Sequence, residues 1–167
     1  MKVTSAEANK MIRALKDQYR LLLSQENNVV SFVAATTENV EEVRPPYDYA
    51  GTAAKYDEIE RKIRKIKHAL NIFNATTVVD GFDMTIDEML VFLPQASDRL
   101  RKLSVMLAKP AKSRAQNTGR TNIIEYEYLN YDLDQVQRDY DTLMDLRSRA
   151  LTALDVVNNT VQFEVEL

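Results

Sequence analysis

Glycine is scarce, histidine nearly absent and cysteine missing: the chain carries 3 glycines, 1 histidine and no cysteine in 167 residues. Each shortage removes a class of chemistry. Phosphate-cradling loops need clustered glycines so that backbone N–H groups can approach an anion, and Gly51, Gly81 and Gly119 stand far apart. The chain therefore has no P-loop and no dinucleotide fingerprint. Zinc sites draw on cysteine and histidine, and a Ser/His or Cys/His pair needs an imidazole, for which His68 is the one source. Without cysteine there is no disulfide framework, which fits a reducing compartment. No apolar run approaches the roughly 20 residues of a membrane helix, and Met1-Lys2-Val3-Thr4-Ser5 leads into a polar amphipathic pattern, not an apolar stretch. The expectation is a soluble cytoplasmic protein with no membrane partner and no cofactor.

What is present suffices for one core. At 19.2 kDa and 45% hydrophobic residues, residues 1–167 read as a single helical domain. The net charge of −3 argues against a surface built throughout for nucleic acid or anionic membrane, so any such role must rest on a local patch.

The apolar spacing predicts four main helices. The clearest starts near Thr52 and places Tyr56, Ile59, Ile63, Ile66, Leu70 and Phe73 on one stripe. Its outer face sets Asp57 before Arg61, Glu58 before Lys62 and Glu60 before Arg64 at i,i+4 spacing. An earlier helix runs from an N-cap at Ser5 through Ala8, Ile12, Leu15, Tyr19 and Leu22 to about Asn27-Asn28. A third opens on a capping box of Thr85 and Glu88 and continues through Ile86, Met89 or Leu90, Leu93, Leu100, Leu103 and Leu107. Pro94 interrupts it without breaking the phase, which reads as one kinked helix. The last helix runs from Leu133 to Val157 and carries Arg147 on its stripe, where the guanidinium must snorkel or find a carboxylate.

Elsewhere the period shifts toward two or the chain becomes β-branched, as in Val29–Ala35, Ile124–Tyr128 and Val161–Leu167, which predicts three short strands. Residues 38–50, with Pro45-Pro46, and residues 109–120 read as connections. Laying Tyr56-Asp57 over Tyr140-Asp141 also aligns Asn74-Ala75-Thr76 with Asn158-Asn159-Thr160, and Asn28-Val29-Val30 with Asn122-Ile123-Ile124. The reading is a duplicated helix-strand-helix unit, with halves at about 5–79 and 85–167 closing into an antiparallel four-helix bundle. Two amphipathic helices align by chance at a shared heptad, but the polar Tyr-Asp and Asn-x-Thr matches lie outside that explanation.

From Asn74-Ala75-Thr76-Thr77 through Asp80-Gly81-Phe82-Asp83-Met84-Thr85-Ile86, and again from Asn122 to Asn158-Asn159-Thr160 and Glu166-Leu167, the chain resembles the septicolysin-like family of small bacterial proteins. The likeness covers about two thirds of the chain; Pro94 and the longer segment from Val29 to Ala50 depart from it. It implies a fold and a bacterial origin, and it brings no catalytic residues. The family name evokes a membrane-active toxin, yet no segment here is fit to insert.

Two surfaces carry the functional readings. The basic run Arg61-Lys62-Ile63-Arg64-Lys65-Ile66-Lys67 and the stretch from Arg99 to Arg120, which contains Lys112 and Arg114, offer a path for phosphates or nucleic acid. Against this stand the i,i+4 acids, the absence of interleaved aromatic residues within the run and the negative total charge. A solvated helix face is the preferred reading. Tyr47, Tyr49, Tyr126, Tyr128 and Tyr131, with Phe163 on the last strand, suit a protein interface or serve as caps on the core. Asp80, Asp83, Asp87 and Glu88 crowd one turn, but they lack the alternating oxygen ligands that a calcium loop places before its glycine. Asp57-x-x-Glu60 with Asp80-x-x-Asp83 is similar to the carboxylate pairs of all-helical nucleotide pyrophosphohydrolases, except that Asp80 and Asp83 flank a glycine turn. His68 lies beside its stripe, as a surface or interface residue would.

The preferred expectation is a non-enzymatic bacterial protein that forms a homo-oligomer or binds a protein partner, an assembly module. Anion or nucleic-acid binding stands second, and nucleotide hydrolysis third.

Overall fold

The computed structural model describes residues 1–115 and 124–167, and the protein is mainly helical with short antiparallel strands. In chain order these are β1 (Lys2–Thr4), α1 (Ser5–Asn27), α2 (Val40–Val43), α3 (Tyr49–Thr76), α4 (Ile86–Leu107), β2 (Lys112–Arg114), β3 (Tyr126–Tyr128), α5 (Leu133–Thr160) and β4 (Gln162–Glu164). The chain divides into two compact units, residues 1–76 with 156–167 and residues 77–155. No described helix is long and apolar enough to cross a membrane.

In the first unit α1 and α3 run antiparallel. Glu26, near the end of α1, meets Tyr56 in the first half of α3, whereas Phe73 near the end of α3 stacks on Phe163 of β4, which pairs with β1 just ahead of α1. Ala8, Ile12 and Ile66 are buried together with Val3 and Val165, so the small β1–β4 sheet closes the core of this helix pair. The expected stripes face this way because three-four spacing keeps such residues on one side of a helix. The register sets Lys2 opposite Glu164, Val3 opposite Phe163 and Thr4 opposite Gln162.

Several boundaries differ from expectation. The N-cap of α1 is Thr4, not Ser5: Thr4 stays extended as the last residue of β1, accepts the Glu7 N–H at 3.2 Å and donates its own N–H to the Glu7 carboxylate at 2.9 Å. Ser5 is already helical and buried. The start of α3 lies before Thr52, where Asp48 accepts the Gly51 N–H at 3.0 Å and its carbonyl accepts the Thr52 N–H at 3.0 Å. Gly51 packs against the Asp48 carboxylate, where a Cβ would collide with it.

Val29–Ala35 is not a strand. The amides of Val29 and Val30 both donate to the Glu26 carbonyl at 2.9 Å, prolonging the turn at the end of α1, and no described strand lies alongside to complete a ladder. Between α1 and α3 the first half therefore has a short helix, α2, in place of the strand that the duplicated unit requires. On the other side of that alignment, Asn122 and Ile123 lie outside the described residues, as does Arg120. Conversely, β1 and β2 form where an N-terminal lead and a connection were expected.

In the second unit a tight turn brings the chain to α4. The Ile86 N–H donates to the Thr77 carbonyl at 2.9 Å and the Val79 N–H to the Met84 carbonyl at 2.9 Å, around Gly81 at φ 76°, a left-handed conformation that glycine adopts without a Cβ penalty. Thr85 and Glu88 form the expected capping box. Ile86, Met89, Leu93, Ala96, Leu100 and Leu103 are buried along α4, with Met89 and not Leu90 on the inner face. The helix continues through Pro94. The stripe of α5 buries Val136, Ala150 and Leu154 in this unit. Arg147 satisfies neither expected option in full: half-buried, it donates from Nε to the Ser97 hydroxyl at 2.9 Å, which in turn donates to the Leu93 carbonyl at 2.8 Å.

Candidate functional site

The basic face of α3 is largely neutralised by its own helix. Arg61 makes two bonds of 2.9 Å to Glu58, Lys62 reaches the same carboxylate at 3.2 Å, and Arg64 reaches Glu60 at 3.4 Å. The anticipated Asp57–Arg61 partnership is absent because the guanidinium turns to the carboxylate three residues back, where its fork fits both oxygens. Hydrogen bonds from Arg61 and then Lys62 hold the Glu58 carboxyl down at about 2. Of the four candidate residues on α3, only Lys65 keeps an ammonium without a described ion pair, and it lies along a groove.

That groove, about 500 Å³, lies in the first unit between α3 and β4. Ile72, Phe73 and Phe163 give it an apolar floor; Lys65 and His68 stand on the helix side, Glu164 and Glu166 on the strand side. Phe163, a candidate interface residue by sequence, is half-buried here. Its ring stacks on Phe73 with centroids 4.7 Å apart and packs against the buried core.

The tyrosines fall into different settings. Tyr131 donates its hydroxyl to the Met106 carbonyl at 2.7 Å, tying the start of α5 to the end of α4. Tyr47 and Tyr56 both donate to the Glu26 carboxylate, Tyr56 at 2.8 Å, and Tyr56 also packs on Tyr19 with centroids 4.8 Å apart. This cluster joins the segment after α2 to the α1–α3 pair. Those hydrogen bonds, from Tyr47 first, lower the Glu26 carboxyl; the bond to Glu26 raises Tyr47 to about 12, and burial, then that bond, raises Tyr56 to about 12. Spacing along the sequence does not reveal the Glu26 cluster. Its members come from three separate segments, and the one available signal, Tyr56 on the α3 stripe, says nothing of Glu26.

Tyr126 and Tyr128 remain exposed on β3, paired with β2 so that Lys112 lies opposite Tyr128 and Arg114 opposite Tyr126. The Lys112 ammonium sits 4.0 Å from the Tyr126 ring centroid and 5.3 Å from that of Tyr128, a cation–π arrangement. Lys109 reaches Glu127 at 3.6 Å from the same hairpin. The two candidate sets, basic residues and tyrosines, therefore meet here on one small sheet.

The acidic residues do not converge. Asp80 and Asp83 flank the Gly81 turn, and Glu88 is engaged by the Thr85 amide at 2.7 Å, which lowers its carboxyl. Among the described residues no three His, Asp or Glu side chains are grouped to hold a metal ion.

No family model matches the chain, and no curated protein matches it. In fold it is similar to the crystal structure of a functionally unknown conserved protein from Corynebacterium diphtheriae, at a TM-score of 0.57 and 15% identity over 98% of this chain and 100% of that one.

Proposed function

We propose that this is a non-enzymatic cytoplasmic protein that self-associates and serves as an assembly or interaction module. The observation that carries the reading is the apolar and aromatic surface left uncovered. Val33 is 95% exposed, Tyr49 71%, Tyr128 62% and Leu21 60%. Leu21 also lines a second groove, of about 530 Å³, with Leu22, Ala54 and Ile59 between α1 and α3. Exposed apolar and aromatic side chains of this kind, Leu21 at a groove and Tyr128 on a strand among them, are what a partner surface buries. The alternative, phosphate or nucleic-acid binding through residues 61–67 and 99–120, is weakened by the carboxylates that occupy Arg61, Lys62 and Arg64. The resemblance to the septicolysin-like family belongs to this proposal and adds no site residue to it.

Size-exclusion chromatography with light scattering, recording absorbance at 260 and 280 nm on natively purified protein, tests the reading. The expected result is a fixed multiple of 19.2 kDa free of nucleic acid. A 19.2 kDa species at all concentrations overturns self-association, and a monomer carrying nucleic acid moves the function to the basic residues.

A further inference from the structure

Two strand edges carry opposite charge, and among the described residues both are open. Just past β4, the Val165 N–H donates to the Met1 carbonyl at 2.8 Å and the Val165 carbonyl accepts from the Met1 amine at 2.8 Å. Along an antiparallel pair, residues alternate between bonding the neighbour and directing their backbone groups outward. With Lys2 opposite Glu164, the amide and carbonyl of Glu164 therefore face away from β1, as do those of Gln162, with Glu166 next in the alternation. At the two ends of the β2–β3 pair, the Ala115 N–H donates to the Glu125 carbonyl at 3.0 Å, and the Leu129 N–H donates to the Ala111 carbonyl at 3.3 Å. By the same rule Lys112 and Arg114 turn their backbone groups outward from β3. Each strand has one neighbour in its sheet, so among the described residues both edges are unpaired.

We propose that the β2 edge of one copy pairs antiparallel with the β4 edge of a second copy, Arg114 opposite Glu164 and Lys112 opposite Glu166. This deepens the self-association reading and rests on it. Opposite charges directly across an antiparallel pair stabilise it, and like charges there destabilise it. That rule selects the occupant: β4 against β4 sets acid against acid, β2 against β2 sets base against base, and only β2 against β4 is complementary. The other face fits too. Phe163 and Val165 turn toward the core on the side opposite Glu164, and in this register Ala115 and Ser113 lie beside them. These side chains are small, and the register sets them on the side of the groove floored by Ile72, Phe73 and Phe163. The joined sheet has the order β3, β2, β4, β1, with a row Tyr126, Arg114, Glu164, Lys2 across it. Two copies exchanging both contacts close into a dimer, and one contact per copy propagates a chain.

Two double variants, Lys112→Glu with Arg114→Glu and Glu164→Lys with Glu166→Lys, test the pairing by light scattering over a concentration series. All four side chains are exposed, and circular dichroism confirms that the helices are retained. Each variant alone is expected to associate at least about tenfold more weakly than the wild type. An equimolar mixture is expected to regain wild-type association, because the reversed edges then meet each other and so do the unaltered ones. If the wild type associates and each variant does so equally well, this pairing is wrong while self-association stands. Loss in both variants without recovery on mixing also refutes it. A wild type that stays at 19.2 kDa removes both.

Discussion

Replacing Ile66 with alanine tests whether the β1–β4 sheet and the α1–α3 pair share one core. Ile66 has 0% exposure and lies with Val3, Ala8, Ile12 and Val165, residues drawn from both ends of the chain. The substitution removes every side-chain carbon beyond Cβ. At about 0.8 kcal/mol per buried methylene the transfer loss is about 2.4 kcal/mol, and the unfilled cavity brings the range for such truncations to about 2–5 kcal/mol. Ile66→Val, which deletes a single methyl, should cost about 0.5–1.5 kcal/mol. Ile72→Ala is the control: on the same helix but 52% exposed, it should stay within about 0.5 kcal/mol. The assay is urea denaturation followed by circular dichroism, with hydrogen exchange at the Val165 amide as the local readout, since that amide bonds to Met1. An Ile66→Ala cost below about 1 kcal/mol, or one equal to that of Ile72→Ala, refutes the shared core.

Thr85→Ala should destabilise the protein by about 1 kcal/mol, measured by the same denaturation, because it removes the hydroxyl that accepts the Glu88 N–H at 3.3 Å. Ultraviolet titration should show Tyr47 and Tyr56 ionising near 12, and Glu26→Gln should bring Tyr47 down further than Tyr56, which burial raises first. Their pKa is raised on folding, so the stability they contribute is complete below pH 10 and is lost as pH rises from 10 through 12. A carbon-13 titration of the Glu58 carboxyl should give a midpoint near 2. Because that pKa is depressed, its contribution is present above 4.5 and is lost as pH falls toward 2.

The helices were legible because what makes them is local. Ile59, Ile63 and Ile66 declare a face by spacing alone, and the Thr85–Glu88 capping box joins residues three apart. The same locality misled at Thr4 and Ser5: either side chain can cap, and the choice falls to Thr4 because β1 pairs with β4, more than a hundred residues away, and holds it extended. Val29–Ala35 has β-branched composition, yet a strand needs a neighbour and none lies beside it among the described residues. Lys112–Arg114 has little such composition and is a strand because Tyr126–Tyr128 lies beside it.

The candidate residues follow the same division. The sequence by itself determined the helical class, the stripes that form the core, the turn at Gly81 and the acids that neutralise the basic face, since all depend on residues within about one helical turn. Only the tertiary structure decided that Tyr131 and Phe163 serve their own units, that Tyr126 and Tyr128 stay exposed beside Lys112, and that Glu26 gathers two tyrosines. A strand edge or an aromatic side chain is satisfied by whatever the folded chain brings to it, and spacing along the sequence does not encode that neighbour.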